Sequence, residues 1–193
     1  MPNLRRIALL FSAIICISIA LLLVAQTGLP RRADYTGYLA GDGQQIAPEI
    51  NAYAPPFELQ TVDGTSLDLQ TLRGHPLLIN FWATWCEPCK VEIPSLQTVY
   101  DTYKDRGLRI IAINLGETLE TARSWVQEMN LNFDVVIDPT AKIASLYQLR
   151  GQPSTYVVSP NGVISQVFFG PINEAALETA LAPYFSSGYT MEK

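Results

Sequence analysis

From Pro55 onward the apolar residues recur with regular periods, and those periods predict the elements. Phe57-Glu58-Leu59-Gln60 and Ser66-Leu67-Asp68-Leu69 alternate around a Val62-Asp63-Gly64 turn, the pattern of a β-hairpin. Leu77 to Ala83 is a continuous apolar run broken only by Asn80, as expected of a buried central strand. A helix is predicted from just after Cys86 to about Arg106, with Gly107 as its stop. Pro94 falls inside it and removes one backbone bond. Leu108 to Asn114 reads as a second buried strand. Thr118 to Met129 reads as an amphipathic helix with Leu119, Ala122, Trp125, Val126 and Met129 on one face. Phe133 to Ile137 is a third predicted strand and Ala141 to Leu149 a short helix. Thr155 to Val158 and Val163 to Phe169 flank Ser159-Pro160-Asn161-Gly162, a second hairpin signal, and a helix from about Asn173 to Tyr184 closes the series. This order is that of an α/β domain. Parallel pairing comes first and an antiparallel hairpin later, giving a central mixed sheet with helices on both faces and an N-terminal hairpin extension.

The pattern before Pro55 is different. Arg5 and Arg6 precede Ile7 to Ala25, 19 residues without a charge. As a helix this run is about 28 Å long, against roughly 30 Å of bilayer hydrocarbon. A cleaved signal peptide has a shorter apolar region and a small-residue cleavage site, and Val24-Ala25-Gln26 is a poor version of one. The run is therefore read as a single N-terminal transmembrane helix that stays attached. Arg31 and Arg32 follow it closely, so charge bias alone does not orient it. A large domain behind an N-terminal anchor is expected to lie on the extracytoplasmic side of the cell membrane. Gln26 to Ala54 carries scattered glycines and prolines without a period and reads as a linker, although Gln45 to Ala52 could pack against the domain. The predicted organisation is anchor 1–25, linker 26–54 and domain 55–193.

Charge narrows the partners. Net charge is −5, and no acidic residue occurs before Asp34, so the chain beyond the apolar run carries all 18 acidic residues but only 11 of the 13 basic ones. A surface of that sign repels phosphate backbones and argues against nucleic acid as a partner.

The candidate chemistry lies in Trp85-Cys86-Glu87-Pro88-Cys89, at the junction of the central strand and the helix after it. Two cysteines three apart, entering a helix, bring two sulfurs within bonding reach, and the helix N-terminus favours a thiolate on the first, which is expected to be solvent-exposed. A redox pair, a metal site and structural thiols are the three readings. Structural zinc wants four Cys or His ligands, whereas the chain has only Cys16 besides this pair and a single histidine, His75. Cys16 lies inside the apolar run and reads as inert. His75, between Gly74 and Pro76, is expected to be a surface residue. The flanking tryptophan, the proline and the strand-to-helix corner favour the redox pair, with no metal and no cofactor beyond the two sulfurs.

The string Phe81-Trp82-Ala83-Thr84-Trp85-Cys86-Glu87-Pro88-Cys89-Lys90-Val91-Glu92-Ile93-Pro94 resembles the membrane-anchored thioredoxin-like thiol–disulfide oxidoreductases of the TlpA/ResA-like class, which include extracytoplasmic reductases acting in cytochrome c maturation. Ala54-Pro55-Pro56-Phe57, Asp63-Gly64 and Leu72-Arg73-Gly74 are similar to that class's lead-in, and Gly151-Gln152-Pro153-Ser154-Thr155 to its cis-proline loop. The resemblance spans about Ala54 to Tyr184. It implies a thioredoxin-like fold in which Cys86 attacks a substrate disulfide as thiolate and Cys89 resolves the mixed disulfide, leaving Cys86–Cys89 bonded. Glu92, three residues beyond Cys89 on one helical face and near the sheet, is the candidate proton acceptor for Cys89, its pKa raised by burial. That class carries a glutamate there, while many thioredoxins use an aspartate at the position occupied here by Asn80. The resemblance further implies that Pro153 is cis beside the cysteines and that Gln152 offers backbone bonds to an extended substrate. Trp85, Glu87 and Pro88 are candidate substrate contacts, with Trp82 packed inward. Glu87 should disfavour the neighbouring thiolate and make the couple more reducing.

The partners so implied are a disulfide-bearing client, apocytochrome c first among them, and a membrane thiol-transfer protein that restores the dithiol. A thiol peroxidase of the same fold and a non-enzymatic copper or thiol carrier are the alternatives. The first lacks a Thr-X-X-Cys motif around Cys86, and the second resembles proteins with Cys-X-X-X-Cys, one residue longer than the spacing here.

Overall fold

A computed structural model describes residues 11–19, 22 and 38–185. Residues 11–19 and 22 are helical and exposed; the rest of the expected span Ile7 to Ala25 lies outside the described residues. Among those described, no helix is long and apolar enough to cross a membrane.

The body is built on a seven-stranded sheet. Two residues each from β1 (Tyr38–Leu39) and β2 (Gln45–Ile46) first form a small antiparallel pair outside it. The sheet strands are β3 (Glu58–Thr61), β4 (Ser66–Asp68), β5 (Leu77–Trp82), β6 (Arg109–Leu115), β7 (Asp134–Asp138), β8 (Ser154–Val158) and β9 (Ile164–Phe169). Their spatial order is β4-β3-β7-β6-β5-β8-β9, with β5, β6 and β7 parallel and every other pairing antiparallel. The sheet is therefore mixed. The N-terminal hairpin β3–β4 extends it at the β7 edge, and the hairpin β8–β9 closes the other.

The alternation of β5 shows why the run Leu77 to Trp82 is apolar throughout: both of its faces are covered. Leu78 and Trp82 point into a cluster with Ile93, Leu96, Ile110, Val135, Leu177 and Leu181, whereas Leu77, Ile79 and Phe81 meet Ile111, Ile113, Val136, Tyr147 and Tyr156 on the opposite side. The first cluster is roofed by α1 (Glu87–Tyr103), α2 (Leu119–Glu128) and α4 (Glu174–Phe185), the second by short α3 (Lys142–Leu146), a 3₁₀ turn at Leu69–Leu72 and the extended residues Ala54 to Phe57. Handedness explains this division. The crossovers β5-α1-β6 and β6-α2-β7 step the same way across the sheet, so right-handed connections put both helices on one face. The chain then doubles back past β6 and β5 to reach β8, and α3 covers the other face on the way.

Predicted and observed boundaries agree within a few residues. The helix expected over Ala141 to Leu149 is shorter, because Gln148 takes a left-handed backbone at φ 48°. Gly107, at φ 96°, ends the turn after α1 as expected. The end of the linker stretch packs on the domain. Asn51 N donates to Ile164 O at 2.8 Å, Ile164 N to Ala52 O at 2.8 Å and Ala54 N to Gly162 O at 3.0 Å, while Ala47 and Ala52 are buried. Arg73 lies over the Tyr53 ring at 4.8 Å and bonds to Asn161 O in the β8–β9 turn. These contacts gather at the end of the sheet where β5 begins.

His75 is not the free surface residue expected. It is half-buried, with Nδ1 3.0 Å from Gly107 O, and so ties the approach to β5 to the turn before β6. The neighbour that buries it lies 32 residues away along the chain.

Candidate active site

At the C-terminal end of β5 the chain turns through Ala83 to Trp85 into α1, and Cys86 is the helix N-cap, with φ −84° and ψ 100°. An N-cap side chain folds back over the first turn. The Cys86 sulfur does so and accepts from Cys89 N at 3.3 Å. Pro88 fits the first turn because that turn's amides have no intrahelical acceptor. The geometry brings the sulfurs together. Cys86 and Cys89 form a disulfide, with S–S 2.06 Å and Cα atoms 5.3 Å apart.

The exposed first sulfur expected from the sequence is more sheltered in the disulfide form. Cys86 is 4% exposed and Cys89 not at all. The order of accessibility is the predicted one, but Cys86 is buried in the same cluster as Trp82 and Ala83. Around it the surface is open. Trp85 is 67% exposed, and Glu87 and Pro88 are exposed. Glu87 is drawn to Lys90, with 2.7 Å between Oε1 and Nζ, and this offsets its charge beside Cys86.

Behind Cys89 lies Glu92, 1% exposed. Its Oε1 accepts from Asn80 Nδ2 at 2.6 Å and its Oε2 from Ile172 N at 3.1 Å, beyond β9. Burial pushes its pKa up to about 7, against the opposing effect of these two bonds, which favour the ionised form. Asn80 also donates to Thr155 Oγ1 at 3.0 Å, fastening the carboxylate's partner to β8. The sequence singled out Glu92 but not this set of holders; Asn80, the lone polar residue of the central strand, was the available signal.

The third part of the site comes from the start of β8. Phe81 pairs with Ser154, so Pro153 lies beside the end of β5 that leads to Cys86. The Gln152–Pro153 peptide is cis, as the resemblance implied. Pro153 is buried and its carbonyl accepts from Gly170 N at 2.9 Å; Gln152 is half-buried. Trp82 packs inward, as expected, against Trp125, with ring centroids 4.6 Å apart. The structure thus brings Cys86, Cys89, Glu92 and Pro153 to one end of the sheet. Among the described residues, no group of three or more His, Cys, Asp or Glu side chains could hold a metal ion.

The arrangement can exchange disulfides: an N-capping sulfur 4% exposed beneath an open rim, a fully buried partner, and a carboxyl group near neutrality behind it. Comparison with known proteins agrees. Residues 50–167 match the AhpC/TSA family. The chain is 36% identical over 129 residues to the thiol-disulfide oxidoreductase ResA of Oceanobacillus iheyensis, covering 65% of this chain and 67% of that one. It is 32% identical over 143 residues to the ResA of Bacillus subtilis, covering 74% and 80%. A solved thiol:disulfide interchange protein of the thioredoxin family from Chlorobium tepidum superposes with a TM-score of 0.64 at 27% identity, over 70% of this chain and 97% of that one. The chain belongs to the AhpC/TSA family of thioredoxin-like proteins, and it is a thiol–disulfide oxidoreductase.

Proposed function

We propose that this protein reduces disulfides of client proteins outside the cytoplasm, held at the membrane by its N-terminal segment, and that the haem-attachment cysteine pair of apocytochrome c is its client. In the reduced enzyme the Cys86 thiolate attacks one client sulfur; an enzyme–client disulfide forms, and the other client sulfur leaves as thiolate and takes a proton. Glu92 accepts the proton of the Cys89 thiol. Cys89 then attacks Cys86, the second client thiolate leaves, and two electrons have passed from the enzyme dithiol to the client. A membrane dithiol protein returns them. Trp85, Glu87 and Pro88 line the approach, and Gln152, ahead of the cis Pro153, offers backbone to an extended client segment.

The observation that carries this reading is Glu92, buried behind Cys89 with its pKa near 7. A carboxyl group half-ionised at neutral pH can take up and return the resolving proton. Cys89 is fully buried, so the resolving thiol needs a proton acceptor inside the protein, and Glu92 is the group placed for it. Location is supported by the charge-free run Ile7 to Ala25 behind Arg5 and Arg6, and the client by the resemblance of the Cys86 string to the TlpA/ResA-like class.

The test is a Cys89→Ala trap of the full chain in cells. Mixed disulfides on Cys86 should contain a cytochrome c precursor on the extracytoplasmic side. Capture of cytoplasmic thiol proteins alone, or of none, would overturn the assignment.

A further inference from the structure

Glu117 takes no part in the exchange described above, yet it is bound to the loop that carries Cys86. Its Oε2 accepts from Thr84 N at 2.8 Å and from Asn114 Nδ2 at 2.7 Å, and its Oε1 accepts from the Thr84 hydroxyl. Thr84 lies within the turn closed by Cys86 N donating to Ala83 O at 3.1 Å. Its amide points out of that turn, and the carboxylate is its acceptor. We propose that Glu117 is a positioning residue for thiol–disulfide exchange: it pins the turn Ala83 to Cys86 to the end of β6, and so fixes where α1 starts and where the Cys86 sulfur sits.

The residues on both sides of Glu117 are hydrogen-bonded in place. Gly116, at φ 70°, donates its amide to Asp138 O at 3.0 Å. Thr118 caps α2, its hydroxyl accepting from Thr121 N at 3.2 Å. The ends of three parallel strands are therefore joined through one carboxylate and its neighbours, β7 through Asp138, β6 through Asn114 and Gly116, and β5 through Thr84. Trp85, directly between the pinned Thr84 and Cys86, is 67% exposed and makes no comparable anchor. Reaction of a thiolate with a disulfide needs an in-line approach, and a nucleophile displaced by about 1 Å can lose a hundredfold in rate.

The chemistry of the clamp sets the test. Glutamine at this position can place its carbonyl where Oε2 accepts and its amide where Thr84 Oγ1 then accepts, so geometry survives without charge. Alanine removes all three bonds. With the full chain and a fluorogenic peptide disulfide as probe, the second-order rate constant of Glu117→Ala should fall about tenfold or more, while Glu117→Gln should stay within about threefold of the parent. The proposal is overturned if the folded alanine variant keeps the parental rate, or if glutamine is as slow as alanine, which would assign the effect to charge. Should the alanine variant not fold, Thr84→Val, which deletes only the hydroxyl contact, replaces it. The valine variant must then be slower than the parent, and an unchanged rate overturns the proposal. The probe reports exchange at Cys86 whatever the client is, so this outcome is independent of the apocytochrome assignment.

Discussion

Glu92 makes the strongest statement at the scale of single residues. A carboxyl group whose pKa is near 7 in the native protein and about 4.5 when free binds more protons folded than unfolded between those values. Stability therefore falls as pH rises from about 4.5 to 7, by on the order of 3 kcal/mol once both forms are ionised, and below 4.5 there is no difference. Glu92→Gln abolishes this dependence. Urea titrations at pH 4.5 and pH 8 should show a parent-to-variant difference that grows toward pH 8, in the variant's favour; parallel behaviour would contradict the buried-acid description. The same substitution should shift the pH profile of Cys89 alkylation, and an unmoved profile removes Glu92 from the proton transfer. Glu92 was legible in the sequence because its spacing from Cys89 is a property of one helix. Its holders were not, since Asn80 and Ile172 lie 12 and 80 residues away and meet it only after folding. The sheltering of Cys86 escaped for the same reason: spacing reports which sulfur lies nearer the helix end, not what packs over it.

At the scale of elements, Asp138 carries a short helix that could not stand alone. α3 has five residues, far below the length at which a helix is stable in water. The buried Asp138 carboxylate accepts from Lys142, Ile143 and Ala144 amides at 2.8–2.9 Å. Asp138→Ala should cost about 2–3 kcal/mol, read as a fall in melting temperature of roughly 5–10 °C, with Cys86 reactivity retained. A melting temperature within a degree of the parent would show that the backbone finds other acceptors. Periodicity revealed every strand of the sheet from β3 onward, because the outer ones lie in alternating stretches around turn signals and the central ones, β5 and β8 above all, are buried apolar runs. The joining of β3 to β7 could not be read. It rests on two residue pairs, Gln60 with Ile137 and Thr61 with Val136, and register of that kind is decided by what the rest of the sheet leaves open. β1 and β2, two residues each, are too short to have a period.

For the whole molecule the question is where the folded body starts. Residues 51–54 bond to β9 and its turn, and Tyr53 holds both the Arg73 guanidinium and, through its hydroxyl, Asp42 at 2.7 Å. A chain trimmed to begin at Pro55 should melt at least about 5 °C below one beginning at Tyr38, since it takes from Ile164 its bonds to Asn51 and Ala52 at the sheet edge. Equal melting would mean that these residues merely rest on the domain. Both trimmed forms should still cycle the Cys86–Cys89 bond, because that bond is at the other end of β5.

That separation has a mechanical consequence. Six residues of β5, about 20 Å of extended backbone, lie between the seam where Ala52 meets Ile164 and the corner where Trp82 gives way to the reactive sulfurs. Whatever grips this protein at residues 51–54, whether a fused partner or a solid support, takes hold of the rear, and the front stays clear to meet bulky visitors.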